Sequence, residues 1–221
     1  HNSMTKKRFV AILLCMTLVA LAAIGATFAY LTDSKTVNNT FTMGNVAIKI
    51  DETNVNDPTG DRVTSNAYNV YPGAVVTKDP IVHNTGKNAA YIRATVNVSN
   101  WMNLCAAYYP ESGFEFTKPG YEKSLELLVG TLGEGWSVVG VTRGDTFTIG
   151  QFDAKFILKY DGKLASGADT TAMFQKVIIP AGIDNASADA GSFSSVKVVA
   201  QAIQADGFDT WEDAFAAYDA K

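Results

Sequence analysis

The sequence predicts an all-β protein, one antiparallel β-sandwich with long loops and one or two short helices. Three observations carry that expectation. Segments of alternating or β-branched apolar character recur from residue 41 to residue 205, separated by turn and loop residues. Helical spacing of apolar residues occurs only twice. No repeat or linker divides the chain after its N-terminal apolar segment, so about 190 residues are available for one sizeable core.

The elements follow in order. Residues 1–3, His1-Asn2-Ser3, have the character of a vector-derived remnant. Met4 is followed by Lys6-Lys7-Arg8 and by an uncharged run from Phe9 to Tyr30. A basic stretch, an apolar run and small residues before a boundary mark residues 4–29 as an export signal. Thr27 and Ala29 occupy the small-residue positions that a signal peptidase reads, so the mature chain begins at Tyr30 and is secreted. The apolar run also has the roughly 20 residues that span a bilayer, and an uncleaved anchor stays open as the alternative.

Strands are expected at 41–50, 75–83, 89–98, 136–141, 146–151, 154–160, 174–179 and 194–205. Tyr71-Pro72-Gly73 and Asn84-Thr85-Gly86-Lys87-Asn88 read as turns. Pro80 interrupts the second strand, which predicts an edge position or a bulge there. The third alternates cleanly. Tyr91, Arg93, Thr95 and Asn97 fall on one face and Ile92, Ala94, Val96 and Val98 on the other, as in a half-buried antiparallel strand. Helices are expected at 121–132, closed by Gly133, and at 209–218, capped by Asp209. Long polar connections fall at 51–69, 161–171 and 182–191.

Charge narrows the function. The signal carries three basic residues and no acidic ones, so the mature chain has 15 Lys and Arg against 22 Asp and Glu. A net charge of −7 argues against nucleic acid or anionic lipid as partner, because both select basic patches. Cys15 lies in the signal and leaves Cys105 alone, so no intramolecular disulfide forms. Its neighbours Trp101, Met102, Leu104 and Ala106 make Cys105 a small buried hydrophobe.

No catalytic constellation is legible. A zinc peptidase needs about three protein ligands, commonly two histidines one helical turn apart with a glutamate. The mature chain has one histidine, His83, which reads as a turn-flanking surface residue, and no His-Glu-x-x-His. Ser112-Gly113 and Ser166-Gly167 lack the Gly-x-Ser-x-Gly pattern of a nucleophile elbow. Asp51, Glu52, Asn54, Asn56, Asp57 and Asp61 form a loop dense in oxygen ligands that suits calcium but lacks the EF-hand order. The plain reading is a solvated acidic loop, and no cofactor is expected. Trp101, Trp136 and Trp211 read as core residues rather than sugar-stacking platforms, with Trp211 and Phe215 pinning the C-terminal helix.

Residues 30–43 stand apart from the sandwich expected over 44–221. As an extended strand this segment places Thr32, Ser34, Thr36, Asn38, Thr40 and Thr42 on one face. Leu31, Val37, Phe41 and Met43 lie on the other, with Asp33, Lys35 and Asn39 between them. It is the first strand of its own sheet, a frayed tail, or a strand donated to a neighbour. Burial of Leu31, Val37 and Phe41 contributes roughly 1.5–3 kcal/mol each. Ordering about a dozen residues offsets much of that.

Three stretches resemble the TasA/camelysin family of exported matrix proteins of Gram-positive bacteria. The first runs from Gly25-Ala26-Thr27-Phe28-Ala29-Tyr30-Leu31-Thr32-Asp33-Ser34 to Asn39-Thr40-Phe41-Thr42-Met43-Gly44-Asn45-Val46. It is similar to the processing site of the family's dedicated signal peptidase, SipW, followed by the first strand. The second is Tyr71-Pro72-Gly73 with Lys78-Asp79, His83-Asn84-Thr85-Gly86 and Tyr91-Ile92-Arg93. The third is Ala202-Ile203-Gln204-Ala205-Asp206-Gly207-Phe208. Residues 103–193 carry no such match. The resemblance implies a jelly-roll-like sandwich and a subunit of extracellular biofilm-matrix fibres. It implies head-to-tail self-assembly through Leu31, Val37 and Phe41 of a donated N-terminal strand, with a SipW-type peptidase during export. The alternative role is a monomeric surface binding module, an adhesin or a minor subunit that anchors fibres. Camelysins are also classed as metallopeptidases, an activity the missing zinc motif argues against here, so a non-enzymatic protein is expected.

Overall fold

The computed structural model describes residues 35–36, 41–43, 46–68, 71–101, 104, 124–148, 151–181 and 196–220. These belong to one unit, Ser34–Lys221. The expected export signal with Thr27, Ala29 and Tyr30 at its boundary, and Leu31, Val37 and Cys105, lie outside the described residues.

The described strands are β1 (Lys35–Thr36), β2 (Phe41–Met43), β3 (Val46–Asp51), β4 (Val75–Thr77), β5 (Ile81–Asn84), β6 (Ala90–Val98), β7 (Trp136–Thr148), β8 (Gln151–Tyr160), β9 (Lys176–Ile178) and β10 (Val196–Gln204). Two short helices accompany them, α1 (Leu125–Val129) and α2 (Trp211–Asp219). All the pairings are antiparallel. One sheet has the order β1-β10-β6-β8-β7, a second β2-β3-β5 and a third β4-β9. This is the all-β antiparallel sandwich that the sequence predicts.

β6 is the centre of the large sheet because its alternation is the most regular. Ile92, Ala94, Val96 and Val98 are buried, whereas Arg93, Thr95 and Asn97 are half-exposed. Their inward row packs with Phe156 and Leu158 of β8, with Val198, Ala200 and Ala202 of β10, and with Ile48, Ile50 and Val82 from the second sheet. Burying such side chains contributes about 1.5–3 kcal/mol each, which makes this shared core the main support of the fold. Tyr91, on the polar face of β6, is buried all the same. It joins Ile203, Trp211 and Phe215 beneath α2 on the outer side of the sheet, and its hydroxyl donates to the Asp209 carbonyl at 2.8 Å. Trp211 Nε1 donates to the Ile92 carbonyl at 2.7 Å and Arg93 lies over the Phe215 ring. Trp211 and Phe215 therefore do pin the helix. Trp101 and Trp136 are core residues as expected.

Several expectations need correction. Residues 41–50 are not one strand: Met43 pairs with Val46 and Phe41 with Ile48, so β2 and β3 form a hairpin. The Gly44-Asn45 pair between them is a hairpin signal in sequence terms. Residues 75–83 also divide, because β4 pairs with β9 and β5 with β3. The break at Lys78-Asp79-Pro80 is a change of sheet rather than a bulge, and proline suits it because it holds the preceding residue extended. Conversely, 136–141 and 146–151 are largely one strand, β7, whose register shifts twice against β8. Helix α1 ends at Gly130 (φ 70°) rather than Gly133. The cap of α2 is Thr210, whose hydroxyl oxygen accepts the Asp213 N–H at 3.1 Å, rather than Asp209.

Candidate functional site

Two features of this frame bear on function: the N-terminal edge of the large sheet and a charged network at one end of β3.

At the edge, the described residues of β1 pair with β10, Lys35 opposite Ala200 and Thr36 opposite Val199. The other side of β10 is paired with β6 along its whole length, from Val196 to Gln204. Part of the segment expected to act as a donor thus lies in its own sheet, as a short terminal strand. Phe41 is fixed farther in, opposite Ile48 in the β2–β3 hairpin.

The charged network begins where β3 runs out of apolar residues. Asp51 and Glu52 follow Ile50 and are both nearly inaccessible. Glu52 exchanges two main-chain hydrogen bonds with Val63, which folds the 51–69 connection back along the strand end. The Glu52 carboxylate accepts from Lys78 Nζ at 2.6 Å, Asn66 Nδ2 at 2.9 Å and the Tyr68 hydroxyl at 3.1 Å. Lys78 itself is buried, so this is an ion pair removed from water whose remaining acceptor sites are filled, the condition for tolerating such a pair. Burial and the adjacent Glu52 carboxylate push the Tyr68 hydroxyl far up.

Arg62 ties two further carboxylates together. Its Nε donates to Asp51 at 2.6 Å and its Nη1 to Asp79 at 3.0 Å, while Nη2 reaches the main-chain carbonyls of both residues. Asp79 also accepts from the Thr53 N–H and hydroxyl, each at 2.7 Å. Burial pushes the Asp51 carboxyl up, but hydrogen bonds from His83, Arg62 and Lys49 outweigh it and hold the group below the usual carboxylate range. Burial acts likewise on Asp79 and is outweighed by Thr53 and Arg62.

His83 is not the surface residue expected. Its Nε2 lies 2.9 Å from Asp51 and its Nδ1 2.7 Å from Asp169, with the side chain about four-fifths buried. Carboxylates only accept, so both contacts are hydrogen bonds when the ring carries both protons. The ring is a strut between β3, β5 and the 161–175 connection. The acidic loop is likewise not simply solvated. Asp51 and Glu52 turn to Arg62 and Lys78, and no group of three His, Cys, Asp or Glu side chains among the described residues is placed to hold a metal ion. A zinc ligand must offer a ring nitrogen lone pair, and His83 has a carboxylate on each nitrogen, so the described residues do not fit a zinc centre.

Arg62, Asn66, Tyr68, Lys78 and Asp79 were not singled out from the sequence as site residues. Their one signal is that Lys78-Asp79 stands between apolar strands and directly before Pro80, where an exposed loop pair has no reason to be tucked under the sheet.

Residues 3–101 match the family model described as camelysin metallo-endopeptidase. The match covers the N-terminal apolar segment, β1 to β6 and all of the charged network except Asp169, and over that stretch it supports the link to the camelysin/TasA family. No curated protein and no solved structure matches the chain.

Proposed function

We propose that this camelysin/TasA-type chain is an exported, non-enzymatic structural subunit of extracellular matrix fibres. It polymerises head to tail when the N-terminal strand of one subunit joins a sheet of the next. The observation that supports this reading is the placement of β1. Among the described residues it is the terminal strand of its sheet, with Lys35 and Thr36 paired to β10. The chain that leads into a strand at the end of its sheet can reach a neighbour without dismantling the core. A head-to-tail contact that does not close on itself generates an open filament. The non-enzymatic part rests on His83, whose two ring nitrogens are both taken up by carboxylates.

The test is electron microscopy of the mature chain, Tyr30–Lys221, beside its Leu31→Asp, Val37→Asp variant. Filaments from the first and folded monomers from the second are expected. Polymers of normal length from the variant sink strand donation, and folded monomers from both favour a surface binding module.

A further inference from the structure

Among the described residues, one edge of the third sheet has no strand beside it. β4 pairs with β9 alone. The Ile179 N–H donates to the Ala74 carbonyl and the Lys78 N–H to the Gln175 carbonyl, with Val76 opposite Val177. In an antiparallel ladder alternate residues face the partner. Residues 74, 76 and 78 therefore face β9, and the N–H and C=O groups of Val75 and Thr77 point the other way. Among the described residues those groups have no main-chain partner. Folded proteins blunt such edges with charge, proline or a bulge, and Val75-Val76-Thr77 has none of these.

Beside this edge runs a half-open groove of about 550 Å³. Val55, Pro58, Ala67 and Tyr71 give it apolar walls, and Thr53 and Thr77 supply hydroxyls. Val75 is 61% exposed and Tyr71 63%, two of the most exposed large apolar side chains described. A row of free main-chain groups along an apolar groove is what an extended peptide satisfies, since backbone hydrogen bonds give affinity and alternate side-chain pockets give selectivity.

We infer that the occupant is the N-terminal segment Tyr30–Ser34 of a second copy of this chain. The assignment rests on the strand-donation reading and names its acceptor. Length supports it. With Lys35 and Thr36 kept on their own β10, five residues of the processed chain precede β1. They span about 17 Å when extended, the length of the edge from Ala74 to Lys78. Composition supports it as well. Leu31 supplies one apolar side chain for the groove, Asp33 shares its face beside the hydroxyl-bearing part of the lining, and Tyr30, Thr32 and Ser34 lie on the opposite face. β1 then serves as the anchor in the donor, and β4 as the acceptor in its neighbour.

The experiment uses the mature chain, Tyr30–Lys221, with three variants: Thr77→Pro, which removes an outward N–H at an edge that tolerates proline; Val75→Lys, which places a charge in the groove; and deletion of Tyr30–Ser34. Circular dichroism and thermal unfolding establish folding, and electron microscopy reads polymer. All three are expected to remain folded and to lose filaments. In a mixture of two chains, Leu31→Cys is expected to form an intermolecular disulfide with Val75→Cys and not with Val139→Cys on β7. Should Thr77→Pro fail to fold, Val75→Lys and the cross-link decide. Wild-type filaments from folded Val75→Lys, or equal cross-linking to Val139→Cys, overturn the β4 assignment. If the deletion abolishes filaments in that case, donation stands with another acceptor. If the deletion leaves them intact, donation fails as well.

Discussion

Replacing Lys78 with methionine tests the charged network most directly. The substitution keeps the length of the stem and removes the ammonium 2.6 Å from Glu52 Oε2. Glu52 is 1% exposed and keeps Asn66 and Tyr68 as donors, but loses the cation that sits at hydrogen-bond distance among the described residues. Breaking one side of a buried pair costs about 3–5 kcal/mol, because the surviving charge is left in a low-dielectric site. Domains of this kind have total stabilities of about 5–15 kcal/mol, so the loss is a large fraction of the whole. For a unit of this size about 1 kcal/mol shifts Tm by roughly 2–4 °C, which puts the expected fall near 10 °C. The companion variant Glu52→Gln, Lys78→Met removes both charges and should recover a large part of the loss. Urea unfolding, at a concentration where the chain is monomeric, measures all three. A Lys78→Met variant within about 1 kcal/mol of the parent refutes the argument, for the pair would then owe nothing to its burial.

Two further outcomes follow from the geometry. Asp51 and Asp79 are held below the unfolded carboxylate value of about 3.9. Their contribution to stability is therefore complete above that value and is lost as pH falls through the lower folded values. Denaturant unfolding between pH 7 and pH 2.5 should show Asp79→Asn less stable than the parent at pH 7, with the gap closing toward acid; a gap independent of pH contradicts the assignment. Gly133→Ala should destabilise by about 1–3 kcal/mol, since the added methyl would collide with the Ala172 carbonyl in a close main-chain approach. Unchanged thermal unfolding of that variant would mean the approach is not rigid.

Legibility in this chain follows the range of the forces involved. The β6 strand was readable because one buried face imposes a period of two on adjacent residues. The Tyr71-Pro72-Gly73 turn was readable because its geometry is local: the Ala74 N–H donates back to the Tyr71 carbonyl, and Gly73 takes φ 81°. Helix α2 was readable from Trp211, Phe215 and Tyr218, although its cap was placed one residue early. The charged network left almost no trace. Lys78 is 26 residues from Glu52, and Asp169 is 86 from His83. Neither separation imposes a pattern that neighbouring residues share. The acidic loop reads as solvated in sequence because its partners arrive through the fold: Arg62 when the Glu52–Val63 bridge turns the connection back, and Lys78 when the chain crosses from β4 to β5.

By itself, then, the sequence determined the all-β class, the inward faces of its main strands and the N-terminal organisation expected of an export signal. Each is a matter of composition and short-range period, which act between residues close in the chain. Only the tertiary structure decided which strands share a sheet, that β1 ends the large sheet among the described residues, that His83 sits between two carboxylates and that Glu52 is locked into an ion pair with Lys78. It also decided that one edge of β4 has no strand beside it among the described residues. Those outcomes depend on which distant segments meet around a common core, where desolvation makes each charge take whatever partner the fold brings within reach.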